Sequence, residues 1–90
     1  MPDPEKYATV TQAIQEGKFK DARKKLDPLL KEEPDNIGLL LDAGFVYANL
    51  DLYTKAEEFY KQVVDLAPSS PAGYTGLGFV YKIQDQNDKR

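Results

Sequence analysis

The sequence predicts an all-α fold: a right-handed α-solenoid of five helices, arranged as about two and a half helix-turn-helix repeats. Two observations carry this. The first is a period of 34 residues: GFVY at 44–47 recurs at 78–81, and the same interval separates Pro34 from Pro68 and Ala22 from Ala56. Self-similarity at a fixed period of roughly 20–50 residues marks a chain built of stacked units, each too small to bury its own apolar face. The second is helical spacing of apolar residues within each unit, as in Ala22, Leu26, Leu29 and Leu30, with no segment alternating in the period-two manner of a half-buried strand.

The period divides the single domain, residues 1–90, into repeats at about 4–36 and 37–70 and a partial third at 71–90. In the first helix Asp3 is the expected N-cap, with Pro4 at the first helical position, where a missing N–H costs nothing. Strict 34-residue spacing would place Lys6 and Thr9 in large apolar slots. A shift of one residue aligns Pro4, Tyr7, Val10 and Ile14 with Pro71, Tyr74, Leu77 and Tyr81, and leaves Thr11 in the small-residue slot of Gly44 and Gly78. Burying Tyr7 and Ile14 instead of Lys6 and Thr9 is worth about 1.5–3 kcal/mol each. The expectation is therefore that the first inter-helix turn, near Gln15 to Gly17, lacks one residue. The second helix follows from about Lys20 to Glu32, with Pro28 inside it removing the bond to the Lys24 carbonyl.

Pro34, Asp35 and Asn36 close that helix and cap a third, from about Ile37 to Leu50, whose apolar stripe includes Leu40, Ala43 and Tyr47. Gly44 is unfavourable inside a helix by roughly 1 kcal/mol, and the structural reason expected is close approach of the partner helix at Ala56. The fourth helix begins near Tyr53, with Thr54 and Glu57 spaced as a capping box, and ends before Pro68. Ser69, Ser70 and Pro71 start the fifth, which carries Tyr74, Leu77, Gly78 and Tyr81 and is expected to fray after Ile83. Arg90 falls where the repeat needs a small residue, so either the fifth helix is a solvating cap or the chain is a piece of a longer array. The bare apolar slots Leu77 and Tyr81 favour the second.

The central unit supplies Leu40, Ala43, Gly44, Tyr47, Ala56, Tyr60 and Pro68. It resembles the tetratricopeptide repeat, whose pattern runs W-x2-L-G-x2-Y, then A-x3-F, then P, with Leu here in place of Trp and Ala in place of the first Leu. The resemblance implies that the first helix of each pair lines a concave groove holding a peptide or a partner helix. The groove residues so implied are Leu41, Asp42, Phe45 and Asn49 from the third helix, Thr75, Gly76, Phe79 and Lys82 from the fifth, and Ala8, Gln12 and Gln15 from the first. Phe45 and Phe79 occupy a slot that is polar in the family pattern. Either neighbouring side chains or a further repeat cover both rings, or they form an apolar strip that recognises a partner. Chaperone-binding members grip a C-terminal carboxylate with Lys, Arg and Asn. The corresponding positions are Ala8, Gln12, Asp42, Ala72 and Gly76, and Asp42 would repel such a group.

Composition limits the remaining function classes. Ninety residues with 41% apolar and 30% charged side chains make an ordinary globular domain, not a disordered one. A net charge of −3 gives no general attraction to nucleic acid or to an anionic membrane. The cluster Lys18, Lys20, Arg23, Lys24 and Lys25 has only Phe19 among it and acidic residues after it, so it reads as a solvated face. No run approaches the roughly 18 apolar residues of a membrane span, and no leader is expected at the start. Cysteine is absent and carries no redox signature; histidine is absent, which removes the commonest general base and metal ligand.

Ser69 and Ser70 have no activating base, adjacent carboxylates such as Glu57 and Glu58 diverge around a helix, and GYTGLG at 73–78 is no phosphate loop. The chain is therefore expected to be non-enzymatic, with no cofactor. Its expected partner is a protein or peptide; the alternative is a structural module that self-associates through exposed helix ends.

Overall fold

In the computed structural model the described residues, 4–88, form five helices and no strand. These are α1 (Pro4–Gln15), α2 (Phe19–Glu32), α3 (Ile37–Asn49), α4 (Tyr53–Leu66) and α5 (Ala72–Asp88). The expected Asp3 cap and the Arg90 slot lie outside the described residues. Each helix packs on the next, and α3 also packs on α5, so α3 is the centre of the stack. The thinnest dimension, 18 Å, is that of two helix layers.

The α1–α2 and α3–α4 turns are residue-for-residue equivalents. Gly17 (φ 73°) and Asp51 (φ 64°) both take the left-handed conformation. The Lys18 N–H donates to the Ala13 carbonyl (2.8 Å) as the Leu52 N–H donates to Tyr47 (2.9 Å). The Gly17 N–H donates to Ile14 (3.0 Å) as the Asp51 N–H does to Ala48 (3.1 Å). This is the paired bonding by which a left-handed residue closes a helix C-terminus. The expected missing residue near Gln15 to Gly17 is thus not found. Instead α1 presents a different stripe of its surface. Val10 and Ala13, the 34-residue equivalents of Gly44 and Tyr47, are buried, while Lys6 and Thr9, equivalents of the buried Leu40 and Ala43, are exposed. Among the described residues nothing covers those two slots.

Local chemistry sets the other ends. The Asn36 side chain accepts from the Leu39 N–H at 3.1 Å and caps α3. The Ser70 hydroxyl accepts from the Ala72 N–H at 3.3 Å where α5 begins. Glu33 and Ala67 close α2 and α4 through their N–H groups to Leu29 (2.9 Å) and Val63 (2.8 Å), each just before a proline that cannot continue the helix. α2 runs continuously through Pro28, which is exposed. The expected capping box at Thr54 does not form. α4 starts at Tyr53, as expected, behind Leu52, which makes no side-chain cap bond, so Thr54 lies inside the helix. Glu57 pairs instead with Lys61 at 2.8 Å. α5 continues past Ile83, where fraying was expected, because the Asn87 amide reaches back to the Asp51 carboxylate (3.1 Å) and the Tyr53 hydroxyl.

The close approach at Gly44 is real, but its partner is Tyr60 rather than Ala56. A methyl group on Gly44 would lie 2.6 Å from the Tyr60 ring, and one on Gly76 only 2.1 Å from it. The ring is thus clasped between the bare backbones of α3 and α5, with 4% of the residue exposed. Gly78, in the Gly44 slot one repeat on, meets nothing within 4 Å. Beside it Tyr74 (56%) and Tyr81 (49%) lie open to water.

Candidate functional site

The stack brings residues 34 positions apart into rows: Tyr7, Leu41 and Thr75 in one, Phe45 and Phe79 in another. Two shallow depressions of about 420 Å³ each result. One is lined by Leu41, Phe45, Thr75 and Phe79, floored by Tyr60 and Gly76, and closed by Ser70, Pro71 and Ala72 of the α4–α5 turn. The other holds Tyr7, Asn36, Gly38, Leu39 and Asp42. Leu41 stands between the two and lines both.

Phe45 and Phe79 stack with ring centroids 5.3 Å apart and planes 21° from parallel. Phe19 meets Phe45 edge-on, at 6.0 Å and 67°. Such pairs contribute about 0.5–1.5 kcal/mol beyond the area they bury, so the rings hold one another in place. Both Phe45 and Phe79 are half-buried: Phe79 packs against the core, and Phe45 is held between Phe79 and Phe19.

Of the other residues named from sequence, Leu41 and Thr75 line the same depression as the rings. Asn49 is half-buried and turns back to donate to the Phe45 carbonyl at 2.8 Å. Lys82 is exposed and lines neither depression. Gln12 lies apart as well. It stands 34 residues before the fully buried Val46, is exposed, and donates to Glu16 at 3.2 Å. Ala8 and Gln15 are likewise exposed.

Sequence reasoning missed Tyr7, Phe19 and Tyr60 as parts of this face. Tyr7 lies 34 residues before Leu41, but the shifted register took it for core. Its hydroxyl donates to Glu33, and that bond, with burial, pushes its pKa up to about 12. Phe19 precedes Tyr53 by the same interval, an aromatic repeat at the start of each second helix that passed for turn sequence.

The charge in this face is Asp42. It is half-buried, and loss of water raises its pKa above the ordinary carboxylate value. Its carboxylate has no hydrogen-bond or ion-pair partner among the described residues. Tyr60 feels it: burial first, then the Asp42 charge, pushes the phenol up to about 12.

A larger cleft, of about 540 Å³, lies between Lys20, Arg23, Lys24 and Asp27 of α2 and Leu50 and Leu52 of the α3–α4 turn. Two of its charges are committed inward. The Arg23 guanidinium lies 5.2 Å over the Tyr47 ring, and the Tyr47 hydroxyl donates to Asp27 at 2.9 Å. Among the described residues no cluster of three or more acidic side chains could hold a metal, and no helix is long and apolar enough to cross a membrane.

A family model described as tetratricopeptide repeat matches residues 13–78. No curated protein and no solved structure matches the chain. The matched span takes in α2, α3 and α4 whole, the C-terminal end of α1 and the start of α5. With its 34-residue rows, its left-handed turns at Gly17 and Asp51 and its glycine-clasped Tyr60, the chain belongs to the tetratricopeptide repeat family, whose members generally act as protein–protein interaction modules.

Proposed function

We propose that this chain is a non-catalytic binding module that takes a peptide or partner helix against Leu41, Phe45, Thr75 and Phe79. The observation that carries this is the half-open Phe45–Phe79 stack, 5.3 Å between centroids, beside a depression whose walls come from two successive repeats. A stacked aromatic pair is pre-organised, so little side-chain entropy remains to be lost on binding. Aromatic anchors of this kind often contribute about 2 kcal/mol or more to an interface. Asn49, tied to the Phe45 carbonyl, supports the backbone under the ring. Lys82 and Gln12, both exposed, would tune encounter rate and salt dependence at most. The test is selection of a displayed random-peptide library on the folded chain, with recovered peptides measured against a Phe79→Ala variant and a Thr75→Lys variant. Thr75 is exposed, so its replacement fills the depression and leaves the core intact. Peptides that bind all three proteins equally would refute the reading.

A second reading rests on α5. Tyr74, Leu77 and Tyr81 repeat the slots of Leu40, Ala43 and Tyr47, yet both tyrosines are about half exposed and the Gly78 slot is open. Two copies of the chain could set these faces together about a two-fold axis, a tyrosine of each entering the glycine slot of the other. Sedimentation at micromolar and millimolar concentration separates the readings: a monomer throughout leaves the groove as the functional surface.

A further inference from the structure

Among the described residues that line the two depressions, Asp42 alone is charged, and its carboxylate has no partner there. Residues lining the two depressions around it are otherwise uncharged: Tyr7, Asn36, Gly38, Leu39 and Leu41 on its own side, Phe45, Thr75 and Phe79 beyond Leu41. A carboxylate drawn partly out of water and left without a donor costs the fold free energy. Such a group is satisfied best by a charge-assisted hydrogen bond from a cation. Asp42 precedes Phe45 by three residues on α3, so the Cβ atoms of the two residues stand about 5–6 Å apart on one side of the helix.

Resting on the groove reading above, we infer that the ligand is a basic amphipathic segment: an aliphatic side chain lies on Leu41, Phe45 and Phe79, and a Lys or Arg about one helical turn away pairs with Asp42. Three further observations favour a cation over a neutral donor or an acid. On the floor of the neighbouring depression, burial and then the Asp42 charge raise the Tyr60 pKa, so the Asp42 carboxylate acts across Leu41 as well as on its own side. The basic side chains Lys20 and Lys24 line a cleft on α2 that shares no residue with either depression, so they do not neutralise this one. The net charge of −3 steers a basic segment inward and an acidic one away.

The library selection tests this with two added measurements. Recovered peptides should be enriched in Lys or Arg within a turn of an aliphatic residue. A synthetic peptide from that pool should lose about tenfold or more in affinity when its Lys becomes norleucine, the scale of one hydrogen bond to a charged group. Asp42→Asn should cost a similar factor, and the peptide change should then have almost no further effect on that variant. Groove-dependent peptides with no basic enrichment, or equal binding by Asp42→Asn, would overturn the inference and leave the groove reading standing. Absence of any peptide sensitive to Phe79→Ala and Thr75→Lys would overturn both.

Discussion

Gly44 and Gly78 share a slot one repeat apart, but an added methyl group would meet opposite surroundings. At Gly44 it would strike the Tyr60 ring at 2.6 Å, so Gly44→Ala should destabilise by about 1–3 kcal/mol, the usual cost of overpacking. At Gly78 it would meet nothing, and Gly78→Ala should stabilise the α5 helix by about 0.5–1 kcal/mol. Thermal melts of the two variants check this; shifts of the same sign would contradict it. Asp42 gives a second residue-level test. Its pKa is raised in the folded chain, so folding binds protons between the unfolded and folded values. Stability is therefore greater below the unfolded value, where the group is protonated in both states, and falls as pH rises through the folded value. Asp42→Asn should match wild type near about pH 3 and exceed it at about pH 7. The gain should stay under about 1 kcal/mol because water still reaches the site. Urea denaturation at the two pH values measures it, and a variant weaker than wild type at neutral pH would refute the account.

Among the helices, α4 presents one buried ring to both of its neighbours. Tyr60 is the contact through which α4 holds both α3 and α5, so Tyr60→Ala should cost about 3–5 kcal/mol, as large buried aromatics do. Phe45→Ala removes a half-open ring and one stacking partner and should cost less than half of that. Chemical denaturation of both decides; equal losses would mean that the Phe45 ring is core rather than groove. These two residues also show what could be read in advance. Five helices, their turns and the pairing of Phe45 with Phe79 follow from the 34-residue period, because a repeat fixes which residues are equivalent. The period does not say which ring reaches which backbone. Ala56 was the natural guess for the Gly44 contact, yet only a side chain as long as Tyr60 spans to α3 and α5 together. The register of α1 escaped for a related reason. The shift treats all four slots as buried, yet Lys6 and Thr9 keep strict register and are exposed, while Tyr7 lies beside Leu41. Asp42 read as a repelling charge on an open groove, because sequence gives charge but not the degree of desolvation.

Across the whole molecule, nearly all packing joins helices that are neighbours in the chain, as expected of a stack whose stability sums over adjacent units. The contact of α3 with α5 joins the first helices of adjacent repeats, and it runs through the glycine-clasped ring and the Phe45–Phe79 stack. A chain of independent units would open from its ends inward, one helix at a time. Here the first turns of α5, which hold Gly73 and Gly76 against Val64 and Tyr60, cannot lift away without uncovering one face of the ring whose other face holds α3. In native-state hydrogen exchange the amides of 74–80 should therefore exchange together with those of α3 and α4, at one shared opening free energy. The remainder of α5 and most of α1 should exchange sooner. Exchange of 74–80 at the rate of the α5 tail would show that the ring does not couple the repeats. Because the Phe79 side of the groove rests on those same turns, the face proposed to bind would remain assembled until the central helices themselves open.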